Sequence, residues 1–216
     1  MSLPAPPPTA APARRAGARK ESPKKAETRL RILDAAARVF SRHGYQAARL
    51  RDVAEEAGLH LTALYYHFNN KDDLAEAMMN RLALKGRALI DAALAELPPA
   101  ASFRQRIAAA ARAQLTAMLA DTDYMAAHAK VLQQVPEEVA ARHRLVLHQT
   151  SAIWRDLMRG ARDSGEIGAA VDPGIATQLL LGSLNWSAQW YRPGPLSPAQ
   201  IAESAIAMTF DGLRPR

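Results

Sequence analysis

The sequence predicts an all-α fold, with an N-terminal helix-turn-helix three-helix domain followed by a longer helical domain. Three observations carry this. From Thr28 onward, apolar residues recur at three- and four-residue spacing. Pro98-Pro99, Pro136 and the Pro193–Pro195 stretch punctuate the periodic segments. No run alternates with period two for long, and valine and isoleucine are sparse, so little is available to build a sheet.

The elements follow in order. Ile32, Leu33, Ala36, Ala37 and Phe40 predict a helix over 28–43. Gly44 stands where a left-handed residue ends a helix, and Tyr45 can pack back. Leu50, Val53, Ala54 and Ala57 predict a short helix over 50–57, broken by Gly58. A third, 60–67, carries Leu64, Tyr65 and Tyr66. Asn70 reads as the N-cap of a fourth helix, with Asp72 and Asp73 in its first turn, running to about Leu97. Further helices are expected over 102–120, 123–134 and, as one long element, 137–164. Asp172-Pro173 opens a very apolar helix to about Arg192, and Ser197-Pro198 opens a last one to about 213.

The chain holds 28 Lys and Arg against 21 Asp and Glu, a net charge of +7 over 216 residues. Residues 1–27 contain six of the basic residues, two of the acidic ones and six of the 14 prolines, with almost no large apolar side chain. Such a segment buries too little to offset its ordering entropy, so a disordered basic arm is expected. Its charge suits nucleic acid or an anionic membrane surface, or simply keeps a tail solvated. The absence of cysteine excludes disulfides, thiolate metal sites and a thiol nucleophile. There is no membrane-length apolar run and no signal-peptide pattern over Met1–Ala13, which reads as a cytoplasmic protein. No GxGxxG, Walker A, HExxH or GxSxG pattern occurs, so no enzyme activity and no cofactor is expected. His143 and His148 lie five apart, off one helical face, so no metal pair is expected either.

Residues 50–68 have the layout of a helix-turn-helix: two short helices, a turn with Gly58, and Leu50, Val53, Ala54, Leu59 and Leu64 as a small core. In that motif the second helix enters a major groove with its N-terminal residues at base edges. Here those are His60, Leu61, Thr62 and Ala63, with Tyr65, Tyr66, His67 and Lys71 suited to phosphate. Spacing alone equally allows an ordinary helical hairpin.

The stretch Arg31-Ile32-Leu33-Asp34-Ala35-Ala36, Phe40, Gly44-Tyr45, Arg51-Asp52-Val53-Ala54-Glu55-Glu56-Ala57-Gly58-Leu59, Leu64-Tyr65-Tyr66-His67-Phe68 and Lys71 resembles the TetR family of one-component bacterial repressors. The resemblance implies a homodimer on a double-stranded, palindromic DNA operator, with residues 28–75 binding DNA and residues 76–216 forming a ligand-binding and dimerisation domain. By the same resemblance, Arg51, Tyr65, Tyr66, His67 and Lys71 would meet phosphates, and Thr62 and Ala63 would read bases. Arg49 and His60 depart from the pattern, standing where Ser or Thr usually caps a helix. Weaker caps or, at Arg49, an added phosphate contact would follow. Leu61 is apolar where the family is polar, and would meet a thymine methyl or pack on the N-terminal tail.

Asp172-Pro173, Leu181-Gly182-Ser183-Leu184-Asn185-Trp186, Trp190-Tyr191-Arg192-Pro193 and Ile201-Ala202-Glu203 further resemble TetR regulators of fatty-acid and sterol catabolism, several of which respond to acyl-CoA thioesters. This suggests a small hydrophobic effector, an acyl-CoA or another lipophilic ligand or drug. His128, Gln133, Trp154, Asn185, Trp186 and Gln189 are the candidate pocket residues. Asn185 and Gln189 share a helical face and would serve a dimer interface equally well. Arg104, Arg106, Arg142 and Arg144 could meet an anionic headgroup. Leu180 and Phe210 are expected on the dimer surface. A non-enzymatic helical protein using its basic arm on a membrane surface is the alternative reading.

Overall fold

The structure is a computed structural model describing residues 22–192 and 194–212. Among these residues ten helices and no strand occur: α1 Pro23–Ala47, α2 Leu50–Glu56, α3 Leu61–Tyr65, α4 Lys71–Ala95, α5 Phe103–Ala120, α6 Thr122–Leu132, α7 Glu137–Thr150, α8 Ala152–Asp163, α9 Pro173–Trp190 and α10 Pro198–Gly212. None is long and apolar enough to cross a membrane.

Local signals explain most boundaries. The side chains of Asn70, Ser102 and Asp172 accept hydrogen bonds from the amides three residues on, satisfying donors that a helix start leaves orphaned. The α5 start has a second, remote cap: the Glu166 carboxylate accepts from Phe103 N at 2.7 Å and Arg104 N at 2.8 Å.

Two expectations are corrected. α1 begins at Pro23, five residues early, because Ser22 caps it and Pro23 sits at its first position. Lys24 and Lys25 therefore belong to a helix and not to the arm; Arg14, Arg15, Arg19 and Lys20 lie outside the described residues. The expected long helix 137–164 divides at Ser151 into α7 and α8. Gly44 does leave the helical region, at φ 72° and ψ 177°, separating the main body of α1 from a last turn.

Two apolar clusters form. One joins α1–α3 to Leu74, Ala75, Met78 and Met79 of α4 and also takes in Tyr124, Ala127 and Val131 of α6. The other holds Ile90 and the buried faces of α5, α8, α9 and α10. α6 thus packs along α1, far away in sequence. Polar ties follow the same path: Tyr124 OH donates to Asp34 at 2.8 Å, and the Lys130 ammonium donates to the Ser41 carbonyl.

Candidate nucleic-acid interface

α2 and α3 are joined by a tight turn in which Gly58 takes φ 66° and Leu59 N donates to Ala54 O at 2.9 Å. Val53, Ala54 and Leu64 are buried beneath it. Asp52 reaches back to accept from Arg49 N at 3.2 Å, so α2 has half of a capping box and the Arg49 side chain takes no part. His60 likewise supplies no cap to α3. Both side chains are exposed, as is Arg51. Glu56 ties α2 to α1 through Arg38, at 2.7 Å, and Arg42, and those two guanidinium groups hold its carboxyl below the usual carboxylate range.

α3 presents Thr62, Tyr65 and Tyr66 to solvent; Tyr65 is 51% and Tyr66 72% exposed, unusual for large aromatics. Spacing of three and four puts all three on one face. Ala63 is half-buried, and His67 lies edge-on to Tyr66 with ring centroids 5.4 Å apart. Leu61 is half-buried and packs partly on the core, a contact the sequence did not suggest. The Lys25 ammonium lies 4.8 Å from the Tyr66 ring centroid and the Arg29 guanidinium 4.9 Å from that of Phe68, bringing the start of α1 beside α3. Sequence reasoning missed this pair, although Ser22-Pro23 carries the helix-start signature recognised at Asp172-Pro173.

Lys71 is a correction. Its ammonium donates to the carbonyls of Tyr45 at 2.8 Å, Gln46 at 3.3 Å and Ala48 at 3.2 Å, and lies over the Tyr45 ring. An ammonium has three donors, and all three point inward, so Lys71 clamps α4 to the α1–α2 corner where a phosphate contact was expected. Tyr45 OH reinforces the clamp by donating to Asp72, and burial together with that carboxylate pushes the phenol well above its ordinary range.

The six expected pocket residues are not brought together. Trp154 is buried in the second cluster, and Gln133 is exposed at the end of α6. Asn185, Trp186 and Gln189 are exposed on α9; Asn185 accepts from Gln114 at 3.1 Å. His128 faces inward: its Nε2 lies 2.8 Å from His143 Nε2, and His143 Nδ1 lies 2.7 Å from Asn80 Oδ1. The amide oxygen can only accept, so His143 carries its proton on Nδ1 and receives one from His128 Nε2, a neutral relay joining α4, α7 and α6. The four candidate headgroup arginines do not converge. Arg104 pairs with Asp211, Arg142 with Glu76 and Arg144 with Glu137, while Arg106 donates to the Ala101 and Pro99 carbonyls. A groove of about 580 Å³ runs past Leu30, Leu33, Asn80 and Leu84, and one of about 430 Å³ past Ala101, Phe103, Ile153 and Leu157; none of the six lines either.

Leu180 and Phe210 are each only 2% exposed, so neither can form a dimer surface. The exposed apolar residues of the last two helices are Ile175, Leu179, Trp186 and Trp190 on α9 and Met208 on α10.

Two family models match the chain. Residues 32–78 match the bacterial regulatory proteins of the tetR family, and residues 100–213 match the tetracyclin repressor-like C-terminal domain. The chain belongs to the TetR family. This TetR-family regulator is 25% identical over 202 residues to the HTH-type transcriptional repressor KstR2 of Rhodococcus jostii, covering 88% of the present chain and 92% of that one. Its fold matches the fatty acid degradation regulator FadR from Bacillus halodurans with a TM-score of 0.76 at 21% identity, over 92% of this chain and all of that one. It also matches FadR from Bacillus subtilis, solved in complex with stearoyl-CoA, with a TM-score of 0.73 at 19% identity, over 86% of this chain and 99% of that one. TetR-type regulators act by binding DNA and not by catalysis, and the helix-turn-helix of this chain lies within the residues 32–78 that match the regulatory-protein model.

Proposed function

We propose that this TetR-family chain is a homodimeric repressor, that residues 28–75 hold the operator, and that residues 76–216 bind a hydrophobic effector and dimerise. The observation that carries the operator half is the exposed α3 face of Thr62, Tyr65 and Tyr66, together with the exposed Arg49 at the cap of α2 and Arg51 in its first turn. Thr62 and Ala63 read bases, with His60 and Leu61 beside them at the base edges; Tyr65, Tyr66, His67 and Arg51 contact the backbone, and Arg49 adds a phosphate contact. Two recognition helices about 34–36 Å apart would then occupy successive major grooves. The stripe of Ile175, Leu179, Trp186 and Trp190 supports a second copy as the partner that covers α9, with Asn185 and Gln189 exposed on the same helix.

The effector is an acyl-CoA, a reading supported by the stearoyl-CoA complex of the Bacillus subtilis neighbour. Ligand binding to α4–α8 would favour a pose in which the two recognition helices no longer match the groove spacing. The test begins by selecting duplexes from a random library with the full chain, then titrating the complex with stearoyl-CoA, stearate and a lipophilic cation. Selection of a palindrome, its release by the thioester and a changed base preference in Thr62→Ala are expected. Release by the cation alone refutes the ligand class, and failure to enrich any duplex refutes the operator reading.

A further inference from the structure

The backbone between Gly44 and Leu50 sets where α2, and behind it α3, leaves α1. After Gly44 breaks the helical path, residues 45–47 form one more turn. A turn so short leaves its amides and carbonyls without partners of its own. Two side chains from elsewhere supply them. On the carbonyl side, Lys71 takes Tyr45, Gln46 and Ala48. On the amide side, Gln46 N donates to Gln134 Oε1 at 3.2 Å, across 88 residues. Gln134 lies in the turn after α6 and its backbone amide donates at 2.9 Å to the carbonyl of Val131, which is fully buried in the cluster shared with α1–α3. Its side-chain amide lies flat on Gly44: a Cβ there would stand 2.8 Å from Oε1 and 3.1 Å from Nε2. Gly44 is therefore required twice, for a positive φ and for this approach.

We propose that Gln134 is a positioning residue for DNA binding, capping the Tyr45–Ala48 turn from the C-terminal half of the chain and so making the pose of the helix-turn-helix depend on where α6 ends. This rests on the operator reading, and goes beyond it by naming the point of attachment. Gln134 touches no base or phosphate. Its loss changes how well the reading helices are held, and leaves the number of phosphate contacts alone.

The test compares Gln134→Met, which keeps the shape and loses the acceptor, with Gln134→Glu, which keeps the acceptor. Each full-length variant is measured against a duplex selected by the wild-type chain, and the exchange of the Gln46 amide is followed alongside. Gln134→Met is expected to speed exchange at Gln46 and to weaken binding about three- to tenfold, the worth of one hydrogen bond. The slope of affinity against salt should stay near wild type and the melting temperature should fall by no more than about 2–4 °C, with Gln134→Glu restoring both exchange and affinity. Wild-type affinity in Gln134→Met overturns the proposal, as does a reduced salt slope. If the wild-type chain selects no duplex, the operator reading fails with it, and Gln46 exchange still shows whether the cap exists.

Discussion

The His143 ring is completely buried, and burial, with His128 next to it, pushes its pKa down from 6.5 to about 4. Lowering the pH therefore protonates this histidine in the unfolded chain long before it does so in the folded one. The folded value is the depressed one, so its contribution is complete above pH 6.5, is lost as the pH falls and levels off below about 4. At pH 5 the unfolded form is favoured by roughly 2 kcal/mol from this group alone. For a chain of this size that corresponds to roughly 4–8 °C in melting temperature. The control is His143→Gln, which can still donate toward Asn80 and accept from His128 but does not titrate. Thermal denaturation of both proteins at pH 7.5 and pH 5 isolates the difference from acid effects elsewhere, such as protonation of Glu56 between Arg38 and Arg42. If His143→Gln loses as much stability on acidification as the wild type, or if the His143 ring titrates near 6.5 by NMR, the burial argument is wrong.

Lys71→Met should weaken DNA binding by freeing the α1–α2 corner while leaving the salt slope as in wild type; a slope smaller by about one unit would return Lys71 to a phosphate. Leu179→Glu should give a folded monomer by light scattering, since Leu179 is 71% exposed, whereas Leu180→Glu should fail to fold. Wild-type assembly of Leu179→Glu would remove α9 from the dimer surface. Gly160→Ala places a Cβ 2.1 Å from Phe103 Cε1, and should cost about 1–3 kcal/mol in denaturant unfolding; an unchanged midpoint would mean that the ring moves aside freely.

Local signals in the sequence determined most of the helices, because capping, glycine breaks and apolar period act over a few residues. Asn70, Ser102 and Asp172 cap the helices they precede, and Gly44 and Gly58 take the positive φ that their turns need. The helix-turn-helix, and through it the family, was legible for the same reason: its residues are contiguous. Ser151, where the expected single helix divides, carries no strong breaker, and nothing short-range marks it. Tertiary structure alone decided which helices share a core. α6 joins the cluster of α1–α3 through Tyr124, Ala127 and Val131, a choice made by surface complementarity between segments some 90 residues apart. The same holds for single side chains. Lys71 is compatible with phosphate until three carbonyls close around it, and Leu180 reads as interface until its neighbours bury it and leave Leu179 outside. A helical period says that one face is apolar. Only the packed neighbours say which residues of that face are covered within the chain and which remain for a partner.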